Sequence, residues 1–213
     1  MIFDPDLNCP QCPRLVEFRE KYRALEPSWH NGPVDTWTSA KGDDDVRMLI
    51  IGLAPGLKGA NLTGRPFTGD YAGDLLYETL AKFNFASGHY GAVKDDGLTL
   101  QQCAITNAVR CVPPENKPVG LEINNCRPFL LNTLARFPNL KALVTLGKIS
   151  HDTTTRALGE RVAAHKFTHN GRFDMGEYTV FSSYHCSRYN TNTGVLTTQM
   201  FENVFESVRD FID

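Results

Sequence analysis

The sequence predicts an α/β protein: a three-layer α/β/α sandwich around a central, mostly parallel, four-stranded sheet. Three observations lead there. Short apolar runs of strand length alternate with stretches of helical period, the pattern of a parallel sheet covered on both faces. Each run empties into a polar, glycine-rich or histidine-bearing loop. The 213 residues, 41% hydrophobic, suffice for one compact core, so residues 1–213 are expected to form a single domain.

Residues 1–12 read as irregular and carry the first cysteines. PRLVEFREKYRAL (13–25) sets Leu15, Phe18, Tyr22 and Leu25 at helical spacing, with Pro13 suited to a first turn. From Glu26 to Asp45 the composition shifts to Pro, Gly, Ser, Asn and Asp, which reads as a long surface loop. VRMLIIG (46–52) has the length and content of a buried strand. A glycine-rich loop follows, then AGDLLYETLAKF (72–83), helical by period. CAITNAV (103–109) is the second strand, PFLLNTLARF (128–137) a helix and ALVTLG (142–147) the third strand, with a helix over 148–158. YTVFSSYH (178–185) is the fourth strand, and TTQMFENVFESVRDFI (197–212) a closing amphipathic helix. There is no internal repeat. Parallel sheets bind ligands beyond the carboxyl ends of their strands, so the functional groups are expected to converge there.

The net charge of −2, from 22 basic and 24 acidic residues, does not advertise a nucleic-acid binder, yet leaves room for a local basic patch. The N-terminus has acids where a signal peptide has bases, and no run approaches the ~18 apolar residues that span a bilayer. A cytoplasmic protein is expected, with no membrane partner. Thiols stay reduced in that compartment, so six cysteines call for something other than disulfides. Cys9 and Cys12 form a C-x2-C pair; Cys111 and Cys126 form a second pair beside Pro113, Pro114 and Pro128. Two such pairs complete a four-thiolate cage, for zinc or for an iron–sulfur cluster. Cys103 lies in an apolar strand and reads as core. Cys186, beside His185, has no orienting partner that would make it a nucleophile.

The loop GLAPGLKGANLTGRPFTGD (52–70) fits neither the P-loop nor the dinucleotide fingerprint. It offers a backbone able to approach something flat. Phe67 is a stacking face or a core residue, and Asp70 a site carboxylate or the N-cap of the next helix. The segment SSYHCSRYNTNTGVLT (182–197) places His185 at a strand's carboxyl end before a loop of Ser, Arg, Asn and Thr. Ser187 and Arg188 suit phosphates, and Asn190 and Asn192 suit a groove.

Taken in order, CPQCPRLVEFR (9–19), GLAPGLKGANLTGRPFTGD, ITNAVRCVPPENKP (105–118) and YHCSRYNTNTG (184–194) resemble the iron–sulfur type, family five, of the uracil-DNA glycosylase superfamily. The resemblance covers about a quarter of the chain and implies an α/β/α fold and excision of uracil and other deaminated bases from DNA. It implies a structural 4Fe-4S cluster on Cys9, Cys12, Cys111 and Cys126. Phe67 would stack on the extruded base, and Gly52, Leu53, Ala54, Pro55 and Gly56 would line its pocket. Asn107 would bind the uracil edge; it completes an I-T-N triplet of the related family four, where family five often has alanine. His185 would stabilise charge at uracil O2, while Asp70, with Asn116, would stabilise the sugar cation and orient water. Leu53 occupies a position that carries an acid or amide in other branches, so Asp70 rather than Asp74 is expected to supply the carboxylate. The loop at 189–194 would enter the minor groove, with Cys186 where proline is common. The expected partner is uracil-bearing DNA, met by a monomer. The rival readings are an iron–sulfur redox or radical protein, a damage-binding module without catalysis and a zinc hydrolase. C-x3-C-x2-C, which the radical reading needs, is absent.

Overall fold

A computed structural model describes residues 2–213. Strand β1 (Met48–Gly52) pairs in parallel with β4 (Cys103–Asn107) on one side and β5 (Ala142–Leu146) on the other. Strand β7 (Tyr178–Ser183) extends the sheet in parallel from β5. These four are the apolar runs of the sequence. A fifth strand, β6 (Gly171–Met175), closes the sheet antiparallel to β7, giving the order β4-β1-β5-β7-β6. The expectation of four strands is corrected to five. GRFDM was missed because an edge strand needs no apolar run: only Gly171 and Met175 are buried.

Side chains alternate across the pleat, so β1 sends Met48 and Ile50 to one face and Leu49 and Ile51 to the other. Helices α3 (Tyr71–Lys82) and α7 (Thr198–Ile212) cover the first face. Helix α7 buries Phe201, Val204, Phe205, Val208 and Ile212, one stripe at helical period, and Thr197 Oγ1 caps it by accepting from Met200 N at 3.2 Å. Helices α4 (Gly120–Arg136) and α5 (Lys148–Ala157) cover the second face, where Leu130 and Leu134 meet Leu49, Ile51 and Leu143. The result is the expected α/β/α sandwich. A two-stranded ribbon of β2 (Ala86–Ser87) and β3 (Thr99–Leu100) sits outside the main sheet. Among the described residues, no helix is long and apolar enough to cross a membrane.

Two further expectations are corrected. Helix α4 begins at Gly120, eight residues before the apolar stretch, and contains Pro128. Its first turns are held by polar contacts that leave no apolar period: the Glu122 carboxylate accepts from Val119 N and from Arg14 of α1 (Pro13–Leu25), all at 2.8 Å. Residues 26–45 are not merely surface loop. Val34, Thr36 and Ser39 are buried, and Trp37 exchanges both backbone hydrogen bonds with Ile105, laying this segment along β4. The fully buried Arg110 fastens the layers, donating to Asp4 and Thr36 from Nη1 and to Thr133 from Nη2. Cys103 is fully buried, as a core residue should be.

Candidate active site

Gly52 and Asn107 end neighbouring strands and are register partners. Beyond them the chains stay paired, Ala108 N donating to the Gly52 carbonyl and Val109 N to that of Leu53, both at 2.9 Å. This brings the loop after β1 against the loop after β4. A cavity of about 340 Å³ opens there, lined by Leu53, Ala54, Pro55, Gly56, Phe67, Asp70, Asn107, Asn116, His185 and Ser187. Residues more than 130 positions apart thus converge where the strand order predicted. Gly52 lies beneath, and a Cβ on it would stand 2.3 Å from Asn107 Oδ1 and 2.7 Å from the Phe67 ring. Gly52→Ala is therefore expected to displace one of these groups and slow the reaction about 10- to 100-fold, read as turnover at unchanged fold by circular dichroism.

Phe67 holds a left-handed backbone, φ +52°, which an aromatic residue adopts only under compulsion. The compulsion is visible. The Phe67 carbonyl accepts from Tyr90 Oη at 3.4 Å and packs so closely on Gly73 that a Cβ there would stand 1.9 Å away. Two residues upstream, Arg65 is buried and forked onto Asp96 at 2.7 and 2.8 Å, with its guanidinium over the rings of Trp37, Tyr77 and Tyr90. The Phe67 ring borders the cavity 6.2 Å from the His185 ring, inclined by 32°.

The two alternatives for Asp70 do not exclude each other. Asp70 caps α3, Oδ1 accepting from Gly73 N at 3.3 Å, and it lines the cavity. A Cβ on Gly59 would stand 2.6 Å from its Oδ2, so the absence of that atom admits the carboxylate. Burial pushes the Asp70 carboxyl above the ordinary aspartate range; hydrogen bonds from Gly73 and Ala72 oppose this, and nearby Asp74 adds to it. Desolvation lowers the basicity of His185, favouring the neutral imidazole. Asn107 is buried at the strand end; Asn116 is exposed at the rim, in a left-handed pair with Glu115.

The segment after His185 differs from the expected loop. Residues Arg188–Asn192 form a short helix, α6, with Ser187 Oγ accepting from Asn190 N. Asn190 turns inward, its amide donating to the His185 carbonyl at 2.8 Å. Arg188 is exposed 5.1 Å over the Tyr71 ring, and Asn192 is exposed. Cys186 is buried and donates to the Ala72 carbonyl at 3.4 Å. Sequence reasoning missed Arg65, Tyr90 and Asp96, whose partners lie 23 to 31 residues away in no pattern.

Cys9, Cys12, Cys111 and Cys126 line a second, apolar cavity with Leu15, Val109 and Phe129. Burial raises the Cys12 thiol, and pushes that of Cys111 to about 12 and that of Cys126 to about 11. Hydrogen bonds reach two of the sulfurs: Arg110 N donates to Cys126 at 3.3 Å and Asn125 Nδ2 to Cys12 at 3.7 Å. Among the described residues, no three His, Cys, Asp or Glu side chains are placed to hold a single metal ion. The four cysteines surround a volume rather than a point.

Residues 40–209 match the model of the uracil DNA glycosylase superfamily. The type-5 uracil-DNA glycosylase of Thermus thermophilus is 40% identical over 203 residues, covering 92% of this chain and 90% of the relative. That of Pyrobaculum aerophilum is 36% identical over 93% of this chain and 86% of its own length, and that of Mycobacterium tuberculosis 36% over 94% and 77%. A type-4 enzyme of Pyrobaculum aerophilum is 28% identical over 72% of this chain. With the sandwich, the cavity at the strand ends and the four gathered cysteines, these matches place the chain in the uracil-DNA glycosylase superfamily, among its type-5 members.

Proposed function

We propose that the protein is a DNA glycosylase that hydrolyses the N-glycosidic bond of uracil, and of other deaminated bases, in DNA. The observation that carries this is the convergence of an aromatic face, an amide, a neutral imidazole and a carboxylate on one cavity sized for a base. The base must leave the duplex stack to reach it, at a cost of a few kcal/mol that is smaller at a U·G mispair. Phe67 receives the ring face, and the Asn107 amide, donor and acceptor together, reads its edge. Bond cleavage builds negative charge on the uracil and positive charge on the sugar. The His185 imidazole donates to O2, and the Asp70 carboxylate faces the sugar cation and orients water with Asn116. Ser187, at the cavity, and the exposed Arg188 next to it are the groups for backbone phosphates. The exposed Asn192 is the side chain for the groove, while Asn190 serves DNA binding indirectly by holding the His185 carbonyl.

The cysteine cavity suits a 4Fe-4S cluster: four thiols line it, backbone and amide N–H groups reach two of them, and Leu15, Val109 and Phe129 give it apolar walls. Cys9, Cys12, Cys111 and Cys126 would hold it, and it would supply structure there by tying residues 9–12 to the loop at 111 and to α4. Cys126→Ser is expected to lower iron content and solubility together, measured by metal analysis on purified protein; wild-type iron in that variant removes Cys126 from the ligand set.

The deciding experiment is incubation with a labelled duplex holding one U·G pair, followed by alkali. Cleavage at the uracil position alone supports the reading; none from intact, iron-loaded protein on duplex or single strand points to a binding module. The pH profile tests Asp70. Its carboxyl is raised, so turnover should fall, as pH is lowered, at a higher pH than an ordinary aspartate would set. Asp74→Asn removes a like charge and should move that limb to lower pH. By linkage, a raised carboxyl costs stability once ionised, so Asp70→Asn, which keeps the cap, should lose about 10²–10³-fold in turnover with no loss of Tm at pH 7.

A further inference from the structure

We propose that His169 is a positioning residue for His185, holding the backbone just ahead of the catalytic ring through the lone pair on its own Nδ1. The proposal rests on the role given to His185 above and adds a residue outside the cavity to it.

His169 lies in the connection between α5 and β6. That connection is nailed to the end of β7: Asn170 N donates to the Ser182 carbonyl at 2.8 Å, and Ser182 Oγ to the Thr168 carbonyl at 2.6 Å. The His169 ring stacks on the Tyr184 ring, centroids 4.9 Å apart and planes within 9°. Its two nitrogens have unlike partners. Tyr184 N–H can only donate, and lies 3.1 Å from Nδ1; the Met200 carbonyl can only accept, and lies 3.2 Å from Nε2. One tautomer satisfies both, neutral with its proton on Nε2. Burial, which lowers the basicity of the ring, favours that neutral form.

The consequence reaches His185 through a single residue. Strand pairing ends where Gly147 N donates to the Ser183 carbonyl at 2.8 Å, and the next backbone donor is Tyr184 N–H. Downstream, Asn190 holds the His185 carbonyl and Cys186 holds that of Ala72. Upstream, two side chains hold Tyr184: Ser183 Oγ, from the end of its own strand, donates to the Tyr184 carbonyl at 2.9 Å, and His169, from the neighbouring connection, accepts from the Tyr184 N–H. The His169 lone pair lies in the ring plane, so the bond sets the direction in which the chain leaves β7 as well as its distance. Among the described residues, the imidazole of His185 makes no hydrogen bond that would place it otherwise.

Two substitutions separate the bonds. In His169→Asn the amide oxygen stands near the Nδ1 position and keeps the acceptor for Tyr184. In His169→Gln the amide nitrogen stands near Nε2 and keeps only the donor to Met200. Both are measured for single-turnover uracil release at saturating enzyme, for duplex affinity, and for titration of the His185 ring by NMR. His169→Asn is expected to stay within about threefold of wild type, whereas His169→Gln loses about tenfold or more in rate at unchanged affinity. In the Gln variant alone, the titration of His185 should move up towards an ordinary histidine. Equal behaviour of the two variants, or a loss confined to affinity, overturns the proposal. Should wild type release no uracil, the enzyme reading falls and the NMR titration still decides the role of His169. Should the Gln variant fail to fold, His169→Phe takes its place, keeping a stacking ring without an acceptor.

Discussion

His185→Ala is expected to slow uracil release about 10²–10³-fold while changing affinity for uracil-bearing duplex by less than about threefold, because its hydrogen bond matures only as charge reaches the uracil. The neutral imidazole is suited to this. Desolvation disfavours its cation, so at neutral pH it presents one N–H and no competing charge to the intact base. Among the described residues the ring makes no hydrogen bond, so its donor faces the substrate's side of the cavity. Before cleavage the uracil oxygen is a weak acceptor and the contact adds little; as the bond stretches, the same contact becomes charge-assisted and strengthens. Single-turnover rates set against binding isotherms separate the two states. Equal losses in rate and affinity would make His185 a binding group, and the charge on the leaving base would need another partner.

The second large effect is on stability. Asp96→Ala should cost about 3–5 kcal/mol, because it leaves the Arg65 guanidinium buried and uncompensated. The side chains are 4% and 2% exposed, and the pair is forked at 2.7 and 2.8 Å. At roughly 2–4 °C per kcal/mol for a chain of this size, melting should fall by roughly 6–20 °C. Arg65→Met with Asp96→Leu should cost less than the single change, since no charge then remains buried. Asp96 also accepts from Gly91 N and Leu98 N, so its loss frees the loop around 90 together with the Arg65–Phe67 turn. The carboxyl is held well below the usual range by Arg65, so its contribution should be complete at neutral pH and vanish only in strong acid. A single substitution milder than the double one would show that the fork is not what holds this turn.

What the sequence made legible follows from where the information lies. Four strands were readable because both their faces are buried and their residues are almost all apolar or small, Asn107 and Tyr178 at strand ends excepted; β6 was not, since an edge strand can carry Arg172 and Asp174 outward. The start of α4 was hidden because Glu122 holds it through Arg14, a partner 108 residues away. In the site, Phe67, Asp70 and His185 were identifiable by position in their segments, and the cavity gathers them. The direction of Asn190, inward to the His185 carbonyl, was not, because a five-residue helix there turns the side chain back. Nor does residue spacing announce that Arg65 and Asp96 meet, or that His169 reaches Tyr184; such contacts belong to the packing of loops from different strands.

The segment that Trp37 lays along β4 has a further effect on how copies of this protein meet. An uncovered strand edge is a template for another chain, and CAITN, wholly apolar or small at its start and buried throughout, would be an adhesive one. Residues 34–40 occupy that edge with Val34, Trp37 and Ala40 amides already bonded inward. The opposite edge, β6, shows Arg172 and Asp174 to solvent, charges that deter a flat apolar partner. Both margins of the sheet are thereby closed to strand addition, and the aggregation hazard of so apolar a sheet is confined to the time before the 34–40 strap docks.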